Sequence, residues 1–324
     1  MIEMAVIDVF NGDADGICAL AQLRNASPCE DNILVTGVKR NVALTDNVDA
    51  KDGDSVTILD VSMEKNQKGL ARILAANANC LYVDHHFAGD IPEHENLHAI
   101  INTTADVCTS ILINNYLGGK FVEWAIVGTF GDNLNNSAEV LAKPLGLSMD
   151  QLAQLKNLGI YMNYNGYGAS LDDLHFKPEQ LFRLIDKYVS PFDFIKSDRV
   201  NFDKLENGYH ADMSAAQKLA AVRETDSNAV FILPNETWAR RVSGVYSNDL
   251  ANASPDKAHA VLTEKSNGNY LVSIRAPLNN KTGADEICRQ FPTGGGRKAA
   301  AGINDLPIEL YDKFIDTFSS FYQS

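Results

Sequence analysis

The chain of 324 residues is 45% hydrophobic and 22% charged, an ordinary soluble composition with enough apolar material for one sizeable core and a second, smaller one. Acidic residues outnumber basic ones by 42 to 28, a formal charge of −14, which argues against tracking of long nucleic acid by phosphate neutralisation and leaves room for a short anionic substrate held by a metal and a few arginines. No run reaches the roughly 18 uncharged apolar residues of a membrane helix. Residues 1–7 lack the basic lead-in of a secretion signal and read as the opening of a buried strand. The five cysteines, Cys18, Cys29, Cys80, Cys108 and Cys288, show no zinc-like spacing, and Cys18, Cys80 and Cys108 sit in apolar runs as small buried hydrophobes, so a reducing cytoplasm fits best.

The first half alternates strand-like and helix-like segments. Residues 4–10 predict a strand, the segment from Asp15 a helix, 32–37 a strand, 55–59 a short buried strand ending at Asp60, 64–77 a helix, and 80–83 a strand ending at Asp84. Another helix covers 110–116, and 124–130 is an apolar run ending in Gly131, Asp132 and Asn133. This repetition predicts an α/β fold with a parallel sheet covered on both faces. Residues 145–200 read as helical, interrupted by a loop at 161–168 rich in Asn, Gly and Tyr; its Tyr161, Tyr164 and Tyr167 offer faces on which bases stack, although packing of the helical segment is the plainer role. The polar stretch at 201–212 approaches a boundary, and 213–225 reads as a connecting helix. A smaller α/β unit follows, with strands at 229–233, 242–246, 258–263 and 270–276, a helix near 283–290, and a glycine run at 294–296.

In an open parallel sheet, ligands bind beyond the carboxyl ends of the strands. Asp13 and Asp15 follow the first strand, Asp60 a later one, Asp84, His85 and His86 the next, and Asp132 the apolar run, so four acid-bearing segments read as strand ends in register. Hard divalent cations such as Mn²⁺ and Mg²⁺ take carboxylate oxygens, and Mn²⁺ also accepts imidazole. Two such ions roughly 3.5–4 Å apart can share a carboxylate and activate a water. Each element alone has a plain reading: an Asp-x-Asp-Gly turn, a helix N-cap at Asp60, a structural histidine pair. Their order and placement together point to a metal centre.

The segments 11–16 (NGDADG), 59–60 (LD), 83–86 (VDHH) and 128–133 (GTFGDN) resemble the four ordered motifs of the DHH phosphoesterase superfamily, and 294–302 (GGGRKAAAG) with 272–275 (VSIR) resembles its associated substrate-binding domain. The resemblance spans nearly the whole chain and implies a catalytic domain over 1–190, a linker over 191–225 and a substrate-binding domain over 226–324. It implies that Asp13 binds one metal and Asp15 the other, that Asp60 bridges them, and that His85 and Asp132 complete the coordination of the second metal. His86 then lies beside the substrate phosphate with Asp84 orienting the histidine pair, and the nucleophile is a metal-activated water. Arg275, Gly294, Gly295, Gly296 and Arg297 grip the far end of the substrate. The sequence departs from the family pattern at Val9, where many members carry a histidine, at Asn11, where RecJ-type members carry an aspartate, and at Arg297, which replaces a histidine and suits bidentate phosphate contact. Val9 cannot ligate, which leaves the first metal with fewer donors and the total at one or two Mn²⁺ (or Mg²⁺) ions. The expected activity is hydrolysis of short oligonucleotides or dinucleotides to mononucleotides, by a cytoplasmic protein with no membrane partner that can form a homodimer. A RecJ-like single-strand DNA exonuclease, a cyclic-dinucleotide phosphodiesterase and a non-catalytic nucleotide sensor are the alternatives.

Overall fold

The computed structural model describes residues 4–323, so the first three residues of the opening segment lie outside the described residues. The chain divides into two compact units, residues 1–206 and 207–324.

Unit 1 begins with β1 (Val6–Phe10), α1 (Ala14–Ala26), β2 (Ile33–Val35), β3 (Ser55–Leu59), α2 (Met63–Ala75), β4 (Asn79–Asp84) and β5 (Leu97–Ile101). The five strands form one parallel sheet in the order β2-β1-β3-β4-β5. The chain leaves β1 toward β2 on one side and returns to β3 on the other, so β1 and β3 flank the point where strand order reverses. Loops leaving their carboxyl ends diverge there, the place where open parallel sheets form a ligand crevice. The register aligns Phe10 with Leu59 and Leu59 with Val83, which brings the ends of β1, β3 and β4 level. Ile7, Val9, Val56, Ile58, Cys80 and Tyr82 point to one face and bury against Leu70, Ile73 and Leu74 of α2. On the other face the buried Asp8 holds Arg24 in the last turn of α1 by two guanidinium bonds, 2.5 and 2.9 Å, which fixes α1 along the sheet.

The helices that follow are α3 (Thr109–Tyr116), α4 (Val122–Gly131), α5 (Asn135–Ala142), α6 (Met149–Gly166), α7 (Pro178–Ile185), α8 (Pro191–Ser197) and α9 (Arg199–Ala216). Every residue of α4 from Trp124 to Gly131 is buried. A helix surrounded on all sides shows no amphipathic period, so its sequence reads as a bare apolar run. Asp132 therefore caps the C-terminus of a buried helix and does not end a strand, a correction to the strand-end reading. Glycines permit the crowding: a methyl on Gly159 of α6 would stand 2.2 Å from the Val127 carbonyl oxygen of α4. The loop predicted at 161–168 is also corrected, because α6 continues to Gly166. Asn165 exchanges two hydrogen bonds with the Phe176 backbone, at 2.8 and 3.0 Å, and Tyr161, Tyr164 and Tyr167 are buried. Tertiary bonds override the loop-like composition, and the tyrosines pack inside the unit.

Unit 2 contains β6 (Arg223–Glu224), β7 (Asn228–Leu233), α10 (Thr237–Ala253), β8 (Ala258–Glu264), β9 (Tyr270–Arg275), α11 (Ala284–Cys288), β10 (Gly294–Gly296), β11 (Ala300–Leu306) and α12 (Tyr311–Phe321). Its sheet runs β10-β11-β9-β8-β7-β6, with β7 and β8 parallel and the other pairs antiparallel. Val230, Leu262, Val272, Ile274 and Ile303 bury against Phe314 and Phe318 of α12. Residues 242–246 belong to helix α10 and not to a strand, and every residue from Val242 to Ser247 is buried, so this part of the helix is enclosed on all sides. The helix predicted at 213–225 is instead the end of α9, a turn and the short strand β6. Among the described residues, no helix is long and apolar enough to cross a membrane.

Two outcomes follow from this packing. Gly159→Ala drives a methyl into backbone that cannot yield, and should lower stability by about 1–3 kcal/mol, read from urea unfolding through Trp124 fluorescence; wild-type stability would mean that α4 and α6 separate at no cost. His259 on β8 is buried, and its pKa is pushed down to about 4, chiefly by burial and then by the nearby Lys257 charge. The folded chain keeps this imidazole neutral, while an unfolded chain protonates it near pH 6.5. Its stabilising contribution is complete above pH 6.5 and declines as the pH falls toward 4. The unfolding midpoint of His259→Gln should therefore depend less steeply on pH between 6.5 and 4 than that of the wild type; equal slopes would exclude this role.

Candidate metal centre

Each acid at the crevice is set by a distinct local device. Asp13 is the N-cap of α1, its Oδ1 accepting the Gly16 amide at 3.1 Å. Asp15, in the first turn of α1, reaches the N-terminus of α3, where its two oxygens accept the Thr109 and Ser110 amides at 2.8 and 2.7 Å. Those amides are among the donors a helix start leaves without internal partners, so Asp15 fixes α3 while the α3 dipole favours its charge. Asp60 directly follows β3 with a φ of +57°, left-handed for a residue with a side chain. Its amide still bonds the Val83 carbonyl at 3.1 Å, so the sheet holds the strained turn in place. Asp84 ends β4 and is fully buried, and its Oδ1 accepts a bond from His86 Nδ1 at 2.8 Å.

His85 gives the site its direction. Its Nδ1 donates to the Val107 carbonyl at 2.9 Å, which turns Nε2 toward the carboxylates. Nε2 stands 3.3 Å from Asp60 Oδ1, 3.9 Å from Asp15 Oδ2 and 4.0 Å from Asp132 Oδ2. The histidine rings meet edge to face at 4.4 Å, and the His86 side chain is 36% exposed, in contrast to the buried His85. The ligand atoms of Asp60, His85 and His86 all lie within 4.8 Å of one another.

The structure thus gathers Asp13, Asp15, Asp60, His85 and Asp132 at one place, with Asp84 and His86 on the same rim. It adds Lys39, from the segment after β2, whose ammonium pairs with Asp13 Oδ2, bonds Asn163 Oδ1 at 3.0 Å and stands 3.9 Å from Asp132 Oδ1. No local pattern in the sequence distinguishes this lysine. Nor does the sequence reveal the Thr109 and Ser110 amides, since main-chain donors carry no residue signature.

Electrostatics sort the acids. Burial raises the Asp60 carboxyl well above its ordinary range, and the neighbouring Asp13 and Asp15 charges push it further. Asp15 is raised as well, by burial first, with the His85 charge opposing. Burial also works to raise Asp13, but the Lys39 ammonium outweighs it and the net shift is downward. Like charges 4 Å apart repel by about 4 kcal/mol at an effective dielectric of 20. A further cation among these carboxylates would relieve that repulsion. The donor set of hard oxygens plus one imidazole, whose far nitrogen is tied to a carbonyl, fits Mn²⁺ or Mg²⁺. Beneath the site, the thiols of Cys18 and Cys108 are held well above their ordinary pKa by burial and then by the adjacent aspartates.

In unit 2, Arg275 lies on β9 with its guanidinium bonded to Asn248 Oδ1 at 2.6 Å and to the Ile274 carbonyl at 3.0 Å. Gly294–Gly296 form β10 of a hairpin whose turn carries the exposed Arg297. Gly296 has a φ of +139°, and a Cβ there would meet Ala301 Cα at 2.5 Å, so only glycine fits. Ala300 pairs with Arg275, which sets the turn and Arg275 at the same end of this sheet.

No protein-family model and no curated protein matches the chain. Solved structures do. A DHH-domain protein described as a member of a family of ribosomal proteins superposes with a TM-score of 0.64 at 13% identity, covering 98% of this chain and 86% of that one. Exonuclease RecJ bound to manganese gives 0.62 at 16% identity, covering 98% and 90%. PggH of Vibrio cholerae, described as a pGpG-specific phosphodiesterase, gives 0.54 at 15% identity, covering 98% of both chains. The fold of this chain is that of the DHH-domain proteins.

Proposed function

We propose that the chain is a phosphodiesterase dependent on a divalent metal, Mn²⁺ or Mg²⁺, that hydrolyses linear dinucleotides or very short oligonucleotides to mononucleotides. The observation that carries this reading is His85: its Nδ1 is committed to Val107, and its Nε2 is directed at the carboxylates of Asp60, Asp15 and Asp132. Three carboxylate oxygens converge on this one nitrogen at 3.3–4.0 Å, a grouping that a shared cation explains and that a purely structural histidine does not require. Of the similar structures, RecJ is an exonuclease crystallised with manganese and PggH is described as acting on a linear dinucleotide, which supports this activity and substrate class.

Asp15, Asp60, His85 and Asp132 would hold the ion, which when bound polarises a phosphoryl oxygen and lowers the pKa of a water. The chain's own groups do the rest. Asp84 keeps the proton on His86 Nδ1, so that the half-exposed ring presents Nε2 to the phosphate. The α3 amides hold the Asp15 carboxylate fixed in orientation. In unit 2, Arg275, Arg297 and the Gly294–Gly296 hairpin are proposed to bind the other end of the substrate. Arg297 offers a planar fork for a terminal phosphate where a histidine would offer a base. The charge of −14 suits a short substrate better than a long polyanion.

Purified protein with Mn²⁺ should release mononucleotides from 5′-phosphorylated linear dinucleotides, and less readily from cyclic dinucleotides and 3′,5′-bisphosphate nucleotides. Failure on the whole panel would exclude the enzyme and favour a nucleotide sensor. Asp60→Ala should lose turnover while its circular dichroism stays native; near-wild-type turnover would remove Asp60 from the site. Arg297→Gln should raise KM by about 10- to 100-fold with kcat little changed, because a contact with a remote phosphate, worth about 1.5–3 kcal/mol, stabilises ground and transition states alike. An unchanged KM would exclude that contact.

A further inference from the structure

The acidic cluster has two halves, and one already contains a cation. Lys39 is no roaming surface lysine. Its amide donates to the Gly166 carbonyl at 2.8 Å, and its own carbonyl accepts from Asn11 Nδ2 at 3.3 Å, so the main chain is pinned on both sides. Its ammonium sits among oxygens from three separate elements: Asp13 at the start of α1, Asn163 in α6 and Asp132 at the end of α4. The Tyr167 ring lies 5.4 Å from the ammonium, adding its negative face. Such convergence of hard oxygens from distant parts of a chain is the arrangement expected around a bound cation. Asp132 divides the halves, with Oδ1 toward Lys39 and Oδ2 toward His85. Val9, on β1, is fully buried in the apolar core against α2 and offers no donor.

We propose that the Lys39 ammonium is the permanent occupant of the Asp13 half of the cluster, so that the chain binds one divalent ion, in the half formed by Asp15, Asp60, His85 and Asp132. This rests on the metal-dependent reading above and narrows it to a single-ion site. An ammonium neutralises Asp13 but has no vacant coordination position, so Asp13 serves Lys39 and not the ion.

The test is stoichiometry. Metal-free protein is titrated with Mn²⁺ by calorimetry, and the saturated sample is read by electron paramagnetic resonance. One ion per chain with an uncoupled six-line spectrum is expected for the wild type. Lys39→Met should bind two ions and show an exchange-coupled spectrum, because the Asp13 half is vacated. Asp13→Asn should still bind one ion, with affinity changed less than tenfold. Two coupled ions in the wild type would overturn this inference and leave the metal-dependent reading intact. Loss of Mn²⁺ binding in Asp13→Asn would overturn it too. A wild type that binds no Mn²⁺ would overturn both. Should Lys39→Met fail to fold, the wild type and Asp13→Asn decide the matter.

Discussion

Mutual repulsion among buried carboxylates is the constraint on which this molecule turns. Asp13, Asp15 and Asp60 are almost wholly removed from water, and the structure brings them together with Asp132. Buried ions are tolerated only when paired or hydrogen-bonded. Each acid is therefore tied to something that could not easily move: a helix start for Asp13, a second helix start for Asp15, a strained strand-end turn for Asp60, a helix end for Asp132. The surrounding fold supplies rigid points from which charges can be held against one another.

The glycines make those points converge. Helix α4 can bring Asp132 to the crevice only by passing between α1, α3 and α6 at backbone distance. Gly131 lies against Ala14 at the start of α1, and Gly159 against the Val127 carbonyl. Gly166 at the end of α6 rests on Asp13, and its carbonyl receives the Lys39 amide. Side chains at these positions would separate elements that the acids require close. Stability in unit 1 and the geometry of the site therefore share one set of contacts.

Much of the site was legible because strand termini concentrate ligands in a parallel sheet, and a short apolar run followed by an acid marks a terminus. That logic located Asp13, Asp15, Asp60, Asp84 and His85. It misread Asp132, whose apolar run is a helix buried on every side, and the resemblance in its motif supplied what periodicity could not. Residues 161–168 misled in the opposite direction: Asn and Gly favour turns on their own, but here Asn163 and Asn165 spend their side chains on Lys39 and the Phe176 backbone. Residues 242–246 read as a strand for the same reason that 124–130 hid its helix: burial from Val242 to Ser247 is continuous, so no helical period shows. Lys39 was invisible for a plainer reason: its partners lie 26, 93 and 124 residues away, a distance over which no local pattern operates.

The thiols under the centre carry a consequence of their own. A cysteine competes for soft metals such as copper(I), and reacts with oxidants, only as the thiolate. Cys18 and Cys108 lie next to a cluster of negative charge, and that charge together with burial keeps both protonated. The carboxylates of the cluster thus also disarm the nearest soft donors. Held as thiols, Cys18 and Cys108 are poor soft-metal ligands and slow to react with oxidants, so the floor of the cluster is chemically quiet.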